Sequence, residues 1–218
     1  MPRRHPPPRG ARLSGVWLFT DERAATPLAR LAALLPPGSG IVVRHDGLAP
    51  GARWRLFRRL ARIARARHLS LLLAGPPALA RRWGADGVHL RRQGRGAAAQ
   101  ARRLDLVRTM AVHDRAEARA ARRAGAQAVF VSPLHPTRSH PGAPTLSTAE
   151  WLRLARLAGG KAVALGGMTP ARARALRRRA ANSGIAVPGW AAIDAWDDRG
   201  KTKAAKRRPR QKRNAVPT

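Results

Sequence analysis

The 218-residue sequence contains no cysteine, few acidic residues and no long apolar run. The lack of cysteine excludes disulfides, thiolate metal ligands and a cysteine nucleophile, and it suits a reducing compartment. No apolar stretch approaches the roughly 18 residues that a membrane-spanning helix requires. Residues 1–12 lack the apolar core of a signal peptide. We therefore expect a soluble, cytoplasmic protein without a membrane partner.

The scarcity of acidic residues leaves a large excess of positive charge. The chain has 44 Lys and Arg residues against 11 Asp and Glu residues, a formal net charge of +33. Nine of the basic residues and no acidic residue lie in residues 199–218. This segment can attract nucleic acid non-specifically through counterion release. It has no aromatic residues that could stack on bases, so recognition of single strands is not indicated.

The apolar content shows that much of this charge belongs to a folded protein. Because 44% of the residues are hydrophobic, the chain as a whole is too apolar for a disordered polycation. We expect one folded domain at residues 13–198, between a flexible N-terminal arm at 1–12 and a disordered basic tail at 199–218. Most arginines of the folded domain are expected on solvated helix faces.

Eight short apolar runs alternate with helical stretches between these arms. Runs of this length bounded by Gly, Pro, Asp or Ser are typical of buried strands. The runs lie at 16–19, 41–43, 69–73, 87–90, 106–112, 128–132, 162–165 and 190–193, and the helical stretches at 27–35, 52–67, 78–83, 97–104, 116–124, 148–157 and 170–181. The alternation predicts an α/β fold with a parallel sheet, either a single (β/α)₈ TIM barrel or an open doubly wound sheet.

Local signals support several of the helices. Thr26 and Thr169 each precede a proline, the arrangement of an N-cap before proline at the first helical position. Ser147 is followed three residues later by Glu150, as in a capped first turn. In the second helical stretch, apolar residues recur at spacings of four and three, with arginines on the other side. These are Leu56, Leu60 and Ile63, surrounded by Arg55, Arg58, Arg59 and Arg62.

In a barrel the chemistry lies at the carboxyl ends of the strands. Four histidines fall at or near such ends, where they either form a polar pocket or make ordinary structural hydrogen bonds. They are His45, His89, His113 and His140, and His135 lies in the loop before the last of them.

A glycine pair, Gly166 and Gly167, follows the seventh run and opens a helix. Glycines at such a place let backbone amides approach an anion, and the helix start adds the positive end of its dipole. The hydroxyls of Thr137 and Ser139 can add donors. We therefore expect a phosphate group to bind here.

Four segments together resemble the thiamine phosphate synthase/TenI family. They are Phe19-Thr20-Asp21, Gly-Ala-Asp-Gly-Val-His-Leu at 84–90, Ser-Pro-Leu-His-Pro-Thr-Arg-Ser-His at 132–140 and Ala-Leu-Gly-Gly-Met at 164–168. The resemblance covers residues 15–196. It implies a (β/α)₈ barrel that binds a thiazole phosphate in its mouth. In the synthase branch, hydroxymethylpyrimidine diphosphate also binds, with Mg²⁺, and loses pyrophosphate as the thiazole nitrogen attacks.

The resemblance assigns substrate-binding roles to several positions. Arg44 matches the arginine that binds the diphosphate, and Gly167 matches the glycine at the thiazole phosphate. Thr137 and Ser139 match hydroxyls near the phosphates. His140 stands where the family has a lysine.

Other positions depart from the synthase pattern. A Gln and a Lys that flank the arginine are replaced by Val42 and Asp46, and a serine of the last loop is replaced by Asp194. An Asn-Asp pair that helps bind magnesium is replaced by residues 74–75, Ala-Gly, and a second metal-binding aspartate by Gly94. Magnesium prefers oxygen ligands, which Ala and Gly side chains lack. Mg²⁺ is therefore implied only if synthase activity is retained.

The TenI-type tautomerase branch needs neither metal nor pyrimidine diphosphate. Val112-His113 resembles the Val-His of that branch, in which the histidine carries the proton transfer. Arg91 and Arg92 are positioned to bind a substrate carboxylate or phosphate, or else are solvated surface charge. We also expect His89, Gly166 and the other strand-end residues to contact the substrate.

These observations favour a divergent family member with TenI-like proton transfer over a metal-dependent transferase. The synthase reaction remains one alternative. A non-catalytic barrel that binds a phosphate ligand, with its basic tail tethered to nucleic acid, is another. The sequence leaves open whether the protein is an oligomer.

Overall fold

The computed structural model describes residues 13–24, 26–90, 95–137, 142–185 and 188–192. Within these ranges, eight parallel strands form a closed barrel in chain order, with seven helices packed against it. The strands are β1 Val16–Phe19, β2 Gly40–Val43, β3 Ser70–Ala74, β4 Gly87–Leu90, β5 Val107–Val112, β6 Ala128–Val131, β7 Lys161–Ala164 and β8 Gly189–Ala192. The helices are α1 Leu28–Leu34, α2 Pro50–Ala66, α3 Pro77–Trp83, α4 Arg95–Arg103, α5 Arg115–Ala124, α6 Thr148–Ala158 and α7 Pro170–Ala180, followed by a 3₁₀ turn at Ala181–Ser183.

The pairing of the first and last strands decides between the two predicted folds. Ala191 of β8 lies in register with Trp17 of β1, so the sheet closes on itself. This confirms the (β/α)₈ barrel and excludes the open doubly wound sheet. The predicted strands and helices agree with the observed ones to within about two residues at either end, the usual uncertainty of such boundaries.

Large aromatic side chains fill the interior of the barrel. The ring of Phe130 lies edge-on to Trp17 and to Phe19, with centroid distances of 5.4 Å and 4.7 Å. All three side chains are at most 3% exposed. A Cβ atom at Gly40 of the neighbouring strand would lie 2.1 Å from the indole ring of Trp17. A residue without a side chain is therefore needed there for the indole to occupy the interior.

The helix α2 buries and exposes the residues that its apolar spacing predicts. On α2, Phe57, Leu60 and Ala64 are buried, while Leu56 and Ile63 are half-buried against the same core. The four arginines predicted to be solvated are exposed; they are Arg55, Arg58, Arg59 and Arg62. Arg53 departs from this pattern, because it lies on the buried stripe and is only 9% exposed.

Two of the three predicted helix starts are confirmed. The Ser147 hydroxyl accepts a hydrogen bond from the Glu150 amide, and the Glu150 carboxylate accepts one from the Ser147 amide, which completes a capping box. Thr169 accepts from the backbone of Arg172. The prediction for Thr26 is wrong: α1 begins one residue later, with Pro27 at the cap position and no side-chain cap.

The Gly-Ala-Asp-Gly segment at 84–87 has a structural role in the barrel. Gly84 ends α3 with φ of +72°. Asp86 is buried and accepts a hydrogen bond from the amide of Leu71 at 2.7 Å, which joins the N-terminal starts of β3 and β4. A Cβ atom at Gly87 would lie 2.5 Å from the carbonyl oxygen of Val107, so glycine permits the close β4–β5 approach.

The two predicted arms, 1–12 and 199–218, lie outside the described residues. In the part of the chain that the structure describes, no helix is long and apolar enough to cross a membrane.

Candidate functional site at the carboxyl end of the barrel

Within the described residues, the strand register brings the ends of β5, β6 and β7, which precede several predicted site residues, to the same end of the barrel. Val112, Val131 and Ala164 lie side by side at the ends of β5, β6 and β7. His113 and the loop that contains Gly167 therefore begin at the same rim, two strands apart. This is the end at which barrel enzymes carry their chemistry.

His89 forms part of the floor of this mouth. It is 7% exposed, and its ring lies edge-on to Phe19 and Phe130 at centroid distances of 5.3 Å and 5.5 Å. Its Nδ1 atom is 3.0 Å from the hydroxyl oxygen of Thr109. The side chain therefore packs as part of the barrel interior.

The surroundings of His89 disfavour its protonated form. Burial, with smaller contributions from nearby positive charge such as that of Arg44, lowers the pKa of His89 to about 4. His89 is consequently neutral near pH 7.

His113 is paired with a carboxylate at the end of β5. Its Nδ1 atom lies 2.7 Å from Oε2 of Glu117, and its backbone amide donates to the same oxygen at 2.9 Å. The Glu117 amide in turn donates to the side chain of Asp114, the N-cap of α5, at 2.7 Å. The His113 side chain is 52% exposed. The first turn of α5 thus fixes one ring nitrogen and leaves about half of the side chain exposed.

A pocket of about 320 Å³ lies between the loops that follow β1 and β2, lined by residues 20–23 and 44–47. The Thr20 hydroxyl accepts from the amide of Arg44 at 3.0 Å and lies 2.9 Å from Nδ1 of His45. His45 is 6% exposed, and burial lowers its pKa.

Asp21 and Arg23 form a two-point ion pair at the edge of the same pocket. The Arg23 Nε and Nη2 atoms donate to the two Asp21 oxygens at 2.8 Å and 2.7 Å. This pairing lowers the pKa of Asp21 to about 2. The negative charge of Asp21 is therefore largely compensated within its own loop.

Arg53 of α2 ties together the ends of β2 and β3. Its Nε atom donates to the carbonyl of Arg44 at 2.8 Å, and its Nη2 atom donates to the carbonyl of Ala74 at 2.6 Å. The same Nη2 lies 3.0 Å from Oδ1 of Asp46. Its guanidinium carbon lies 5.9 Å from the ring centroid of Trp83, within the range of a cation–π contact.

The end of β3 does not fit the magnesium ion that the synthase branch uses. Residues 74–75, Ala-Gly, offer no side-chain oxygen, and Nη1 of Arg53 would be 3.9 Å from a Cβ atom built on Gly75. Asp46, which could otherwise substitute as a ligand, is paired with that guanidinium. Across the described ranges, no group of three or more His, Asp or Glu side chains could hold a metal. Gly94 lies outside these ranges.

The Gly166–Gly167 turn packs directly on the loop after β6. Both glycines have positive φ, +91° and +57°. A Cβ atom at Gly167 would lie 2.5 Å from the carbonyl oxygen of Pro136. Arg172 of α7 donates to the carbonyl of Gly167, and its charge contributes to the lowered pKa of His135, after burial. The predicted phosphate turn is thus glycine-specific in its geometry and has a guanidinium beside it.

Of the remaining predicted site residues, one lies within the described ranges. Thr137 is described and is half-buried on the loop after β6. Five candidates lie outside the described residues: Arg91, Arg92, Ser139, His140 and Asp194.

Three residues at this end are not among the candidates predicted from the sequence: Arg53, Glu117 and Arg172. Arg53 carried a signal, because it continues the buried stripe of α2 at the spacing of Phe57 and Leu60. Glu117 lies in the first turn of α5, where an acidic side chain can fold back onto the residues that precede the helix. Arg172 has no comparable signal among the many arginines of α7.

Comparisons with known proteins agree with this architecture. A sequence model described as thiamine monophosphate synthase matches residues 16–189. The chain is 36% identical over 163 residues to a thiamine-phosphate synthase from Chromobacterium violaceum, which covers 72% of this chain and 78% of the relative.

Solved structures share the fold at low sequence identity. A thiamine phosphate pyrophosphorylase from Pyrococcus furiosus superimposes with a TM-score of 0.67 at 19% sequence identity. The aligned region covers 87% of this chain and 95% of that protein's chain. FabK from Thermotoga maritima superimposes with a TM-score of 0.63 at 15% sequence identity. The aligned region covers 84% of this chain and 59% of the FabK chain. These likenesses show the barrel alone. The sequence matches go further and show that the chain belongs to the thiamine monophosphate synthase family.

Proposed function

We propose that this protein catalyses a proton transfer on a phosphorylated thiazole, as the TenI-type tautomerases of its family do. The observation that carries the proposal is the His113–Glu117 pair at the end of β5, with Nδ1 and Oε2 2.7 Å apart. A base held by a carboxylate beside a barrel mouth is the arrangement that general acid–base catalysis requires.

The pairing decides which nitrogen of His113 can act. An ionised carboxylate only accepts hydrogen bonds, so the proton of the neutral ring resides on Nδ1. Nε2 then carries the lone pair and can take a proton from one position of the ligand. Returning that proton to another position of the same ligand completes an isomerisation, and neither a metal nor a second substrate is needed.

The Gly166–Gly167 turn supports a phosphate on the ligand. Its backbone has the positive φ values of a tight turn, +91° and +57°, and it precedes the N-terminus of α7. Arg172 places a guanidinium next to the turn. Backbone amides, a helix start and an arginine together are a suitable environment for a phosphate monoester.

A proton-exchange experiment tests the proposal. The protein is incubated in D₂O with a thiazole carboxylate phosphate and with chelator, and deuterium incorporation and isomer ratio are followed by NMR. We expect exchange by the native protein, a loss of at least about 100-fold in His113→Asn, and no loss in His68→Asn, since general acid–base groups contribute about 10²–10⁴-fold. Undiminished exchange in His113→Asn would refute the assignment.

Thiamine phosphate synthase activity is the second candidate. Its support is the 36% identity to a curated thiamine-phosphate synthase over 78% of that relative. The replacement of the Asn-Asp pair by residues 74–75, Ala-Gly, and the position of Arg53 argue against a magnesium-assisted reaction. The two candidates differ in their need for Mg²⁺ and for the pyrimidine diphosphate.

A non-catalytic barrel whose basic tail binds nucleic acid is the third candidate. Its support is the run of nine basic residues in 199–218. DNA binding is measured with and without these residues, beside thermal shift with thiazole phosphate. Tail-dependent, salt-sensitive DNA binding without stabilisation by the phosphate ligand would favour this candidate over the first two.

A further inference from the structure

The last turns of the helices form a basic face at the end of the barrel opposite the mouth. Because each helix runs back along the barrel to the start of the next strand, its last turn lies at the N-terminal ends of the strands. Every helix from α2 to α7 has at least one arginine in its last turn, whereas α1 has none. Cations are favourable at helix C-termini. The barrel therefore gathers a local helix preference into one surface of positive sign.

The acidic residues have the opposite distribution. Of those in the described ranges, six lie at the carboxyl ends of the strands or at the starts of the helices: Asp21, Glu22, Asp46, Asp114, Glu117 and Glu150. Only Asp86 and Asp105 lie at the other end, just before β4 and β5. Asp86 is buried and accepts from the amide of Leu71, so Asp105 is the one exposed carboxylate at that end of the described barrel. A compositional excess of arginine alone would not separate the two signs in this way.

The ends of α4, α5 and α6 are joined to one another on this face. Arg108 at the start of β5 donates to the carbonyl of Gly125, the C-cap of α5, at 3.1 Å. A Cβ atom at Gly159, the C-cap of α6, would lie 3.5 Å from Cγ of Arg122. The basic patch is defined as the exposed arginines of these three last turns: Arg102, Arg103, Arg122, Arg123 and Arg156. Its members are therefore carried by elements that are fixed relative to one another.

The chemistry of the basic patch fits the phosphates of a nucleic acid duplex. All of its cations are guanidinium groups, which bind phosphate oxygens through two parallel hydrogen bonds. No Trp or Phe side chain in the described ranges is exposed, so none offers a platform for the bases of a single strand. Leu104, directly after α4, is half-buried against the core and presents little apolar surface to a lipid bilayer. A duplex also releases more counterions per neutralised phosphate than a single strand does.

We propose that the basic patch binds the phosphate backbone of duplex DNA without sequence preference. This docking surface belongs to the folded barrel and not to the basic segment at 199–218, which follows the carboxyl end of β8. It lies at the end of the barrel opposite His113 and Gly167, so DNA bound there leaves the mouth open. The proposal therefore does not depend on which reaction the mouth catalyses.

A triple substitution on the full chain tests the proposal. Arg102→Gln, Arg103→Gln and Arg123→Gln are combined, and the dissociation constant for a short fluorescent DNA duplex is measured by anisotropy at several salt concentrations. We expect the slope of log Kd against log salt concentration to fall by about 2–3, since each phosphate contact contributes about 0.9. The affinity at low salt should fall about ten-fold or more.

The matched control removes three exposed arginines from the outer side of α2. Arg55→Gln, Arg59→Gln and Arg62→Gln change the net charge by the same amount, but they lie on a different side of the barrel. Because charges that do not contact the DNA are screened by salt, the slope should stay close to that of the native protein. All six substituted positions are exposed, and circular dichroism checks that both variants are folded.

Asp105→Asn tests the basic patch by a gain of affinity. It neutralises the exposed carboxylate beside the patch, and asparagine tolerates the positive φ of +53° at this position. We expect the DNA duplex to bind about two- to three-fold more tightly, the size of effect that one exposed charge allows. Glu22→Gln, which removes an exposed carboxylate at the mouth end, should leave DNA binding unchanged.

Four results would overturn the proposal. Equal losses in the two triple variants would show that DNA binding follows net charge alone, and an unchanged salt slope in the patch variant would assign the binding to other arginines or to residues 199–218. Unchanged binding in Asp105→Asn would separate the DNA from this end of the barrel. Phosphatidylserine vesicles are the second probe: binding to them that is tighter than to DNA, and that is lost in the patch variant, would assign the patch to a membrane surface instead.

Discussion

One oxygen of Glu117 binds both the backbone amide and the Nδ1 atom of His113, at 2.9 Å and 2.7 Å. The carboxylate therefore fixes the rotation of the ring relative to the main chain at the end of β5. Because Glu117 also belongs to the first turn of α5, the orientation of the histidine depends on the start of that helix.

Glu117→Gln should lower kcat for proton exchange about ten-fold or more while KM changes little, because a partner that orients a catalytic group acts mainly on the chemical step. Steady-state kinetics check this split. Glu150→Gln is the matched control, since Glu150 also lies in a helix first turn and takes part in a capping box. It should lose stability without losing kcat, and an equal loss of kcat in both variants would refute the positioning role.

The buried His89 makes the barrel sensitive to mild acid. Its pKa is lowered by burial to about 4 in the folded protein, below the unfolded value of 6.5. The unfolded chain therefore binds a proton that the native protein does not, and stability falls as the pH drops from about 6.5 towards 4. At pH 4.5 the loss due to this residue should be about 2–3 kcal/mol relative to pH 7.

Urea unfolding at pH 7 and pH 4.5 measures this effect. His89→Gln keeps a polar group opposite Thr109 and should lose about 2–3 kcal/mol less on acidification than the native protein. His68→Gln, at an exposed position, should behave as the native protein does. Identical pH dependence in the native protein and in His89→Gln would contradict the assignment of a buried neutral imidazole.

The Gly167 turn should tolerate no side chain. Gly38 and Gly167 both have positive φ, +75° and +57°, but a Cβ atom meets nothing within 4 Å at Gly38 and the carbonyl oxygen of Pro136 at 2.5 Å at Gly167. Gly38→Ala should cost about 1 kcal/mol, the penalty of the backbone conformation alone. Gly167→Ala should cost about 1–3 kcal/mol more because of the clash.

Urea unfolding and thermal shift with thiazole phosphate distinguish the two glycine variants. Ligand-induced stabilisation should persist in Gly38→Ala and disappear in Gly167→Ala, because the clash moves the turn that is proposed to bind the phosphate. Full stabilisation in Gly167→Ala would mean that the phosphate binds elsewhere.

The barrel could be predicted from the sequence because its strands are buried on both faces and its helices on one. Short continuous apolar runs such as Val16–Phe19 and Gly87–Leu90 differ clearly from the periodic helices between them. Helix starts with a hydroxyl and a following acidic residue, as at Ser147, were equally clear. Thr26 gives the same Thr-Pro signal as Thr169 but does not cap its helix, because α1 begins one residue later, with Pro27 at the cap position.

The contacts within the site could be predicted only in part. The rim positions of Arg44, His89, His113 and Gly167 follow from the strand ends. The role of Arg53 does not: its place on the apolar stripe of α2 indicates burial, but its partners are backbone carbonyls just after β2 and at the end of β3, which the sequence of α2 does not specify. Pairings between distant loops depend on how helices pack onto the barrel, which residue spacing along one element does not specify.

Metal-free proton transfer is tested most directly by incubating the purified protein with hydroxymethylpyrimidine diphosphate and thiazole phosphate, once with Mg²⁺ and once with chelator. The proton-exchange assay is run on the same protein. Thiamine phosphate formation and deuterium exchange are measured in parallel. We expect exchange that persists in chelator and no magnesium-dependent thiamine phosphate. Robust magnesium-dependent formation of thiamine phosphate, without exchange on the thiazole ligand, would contradict it.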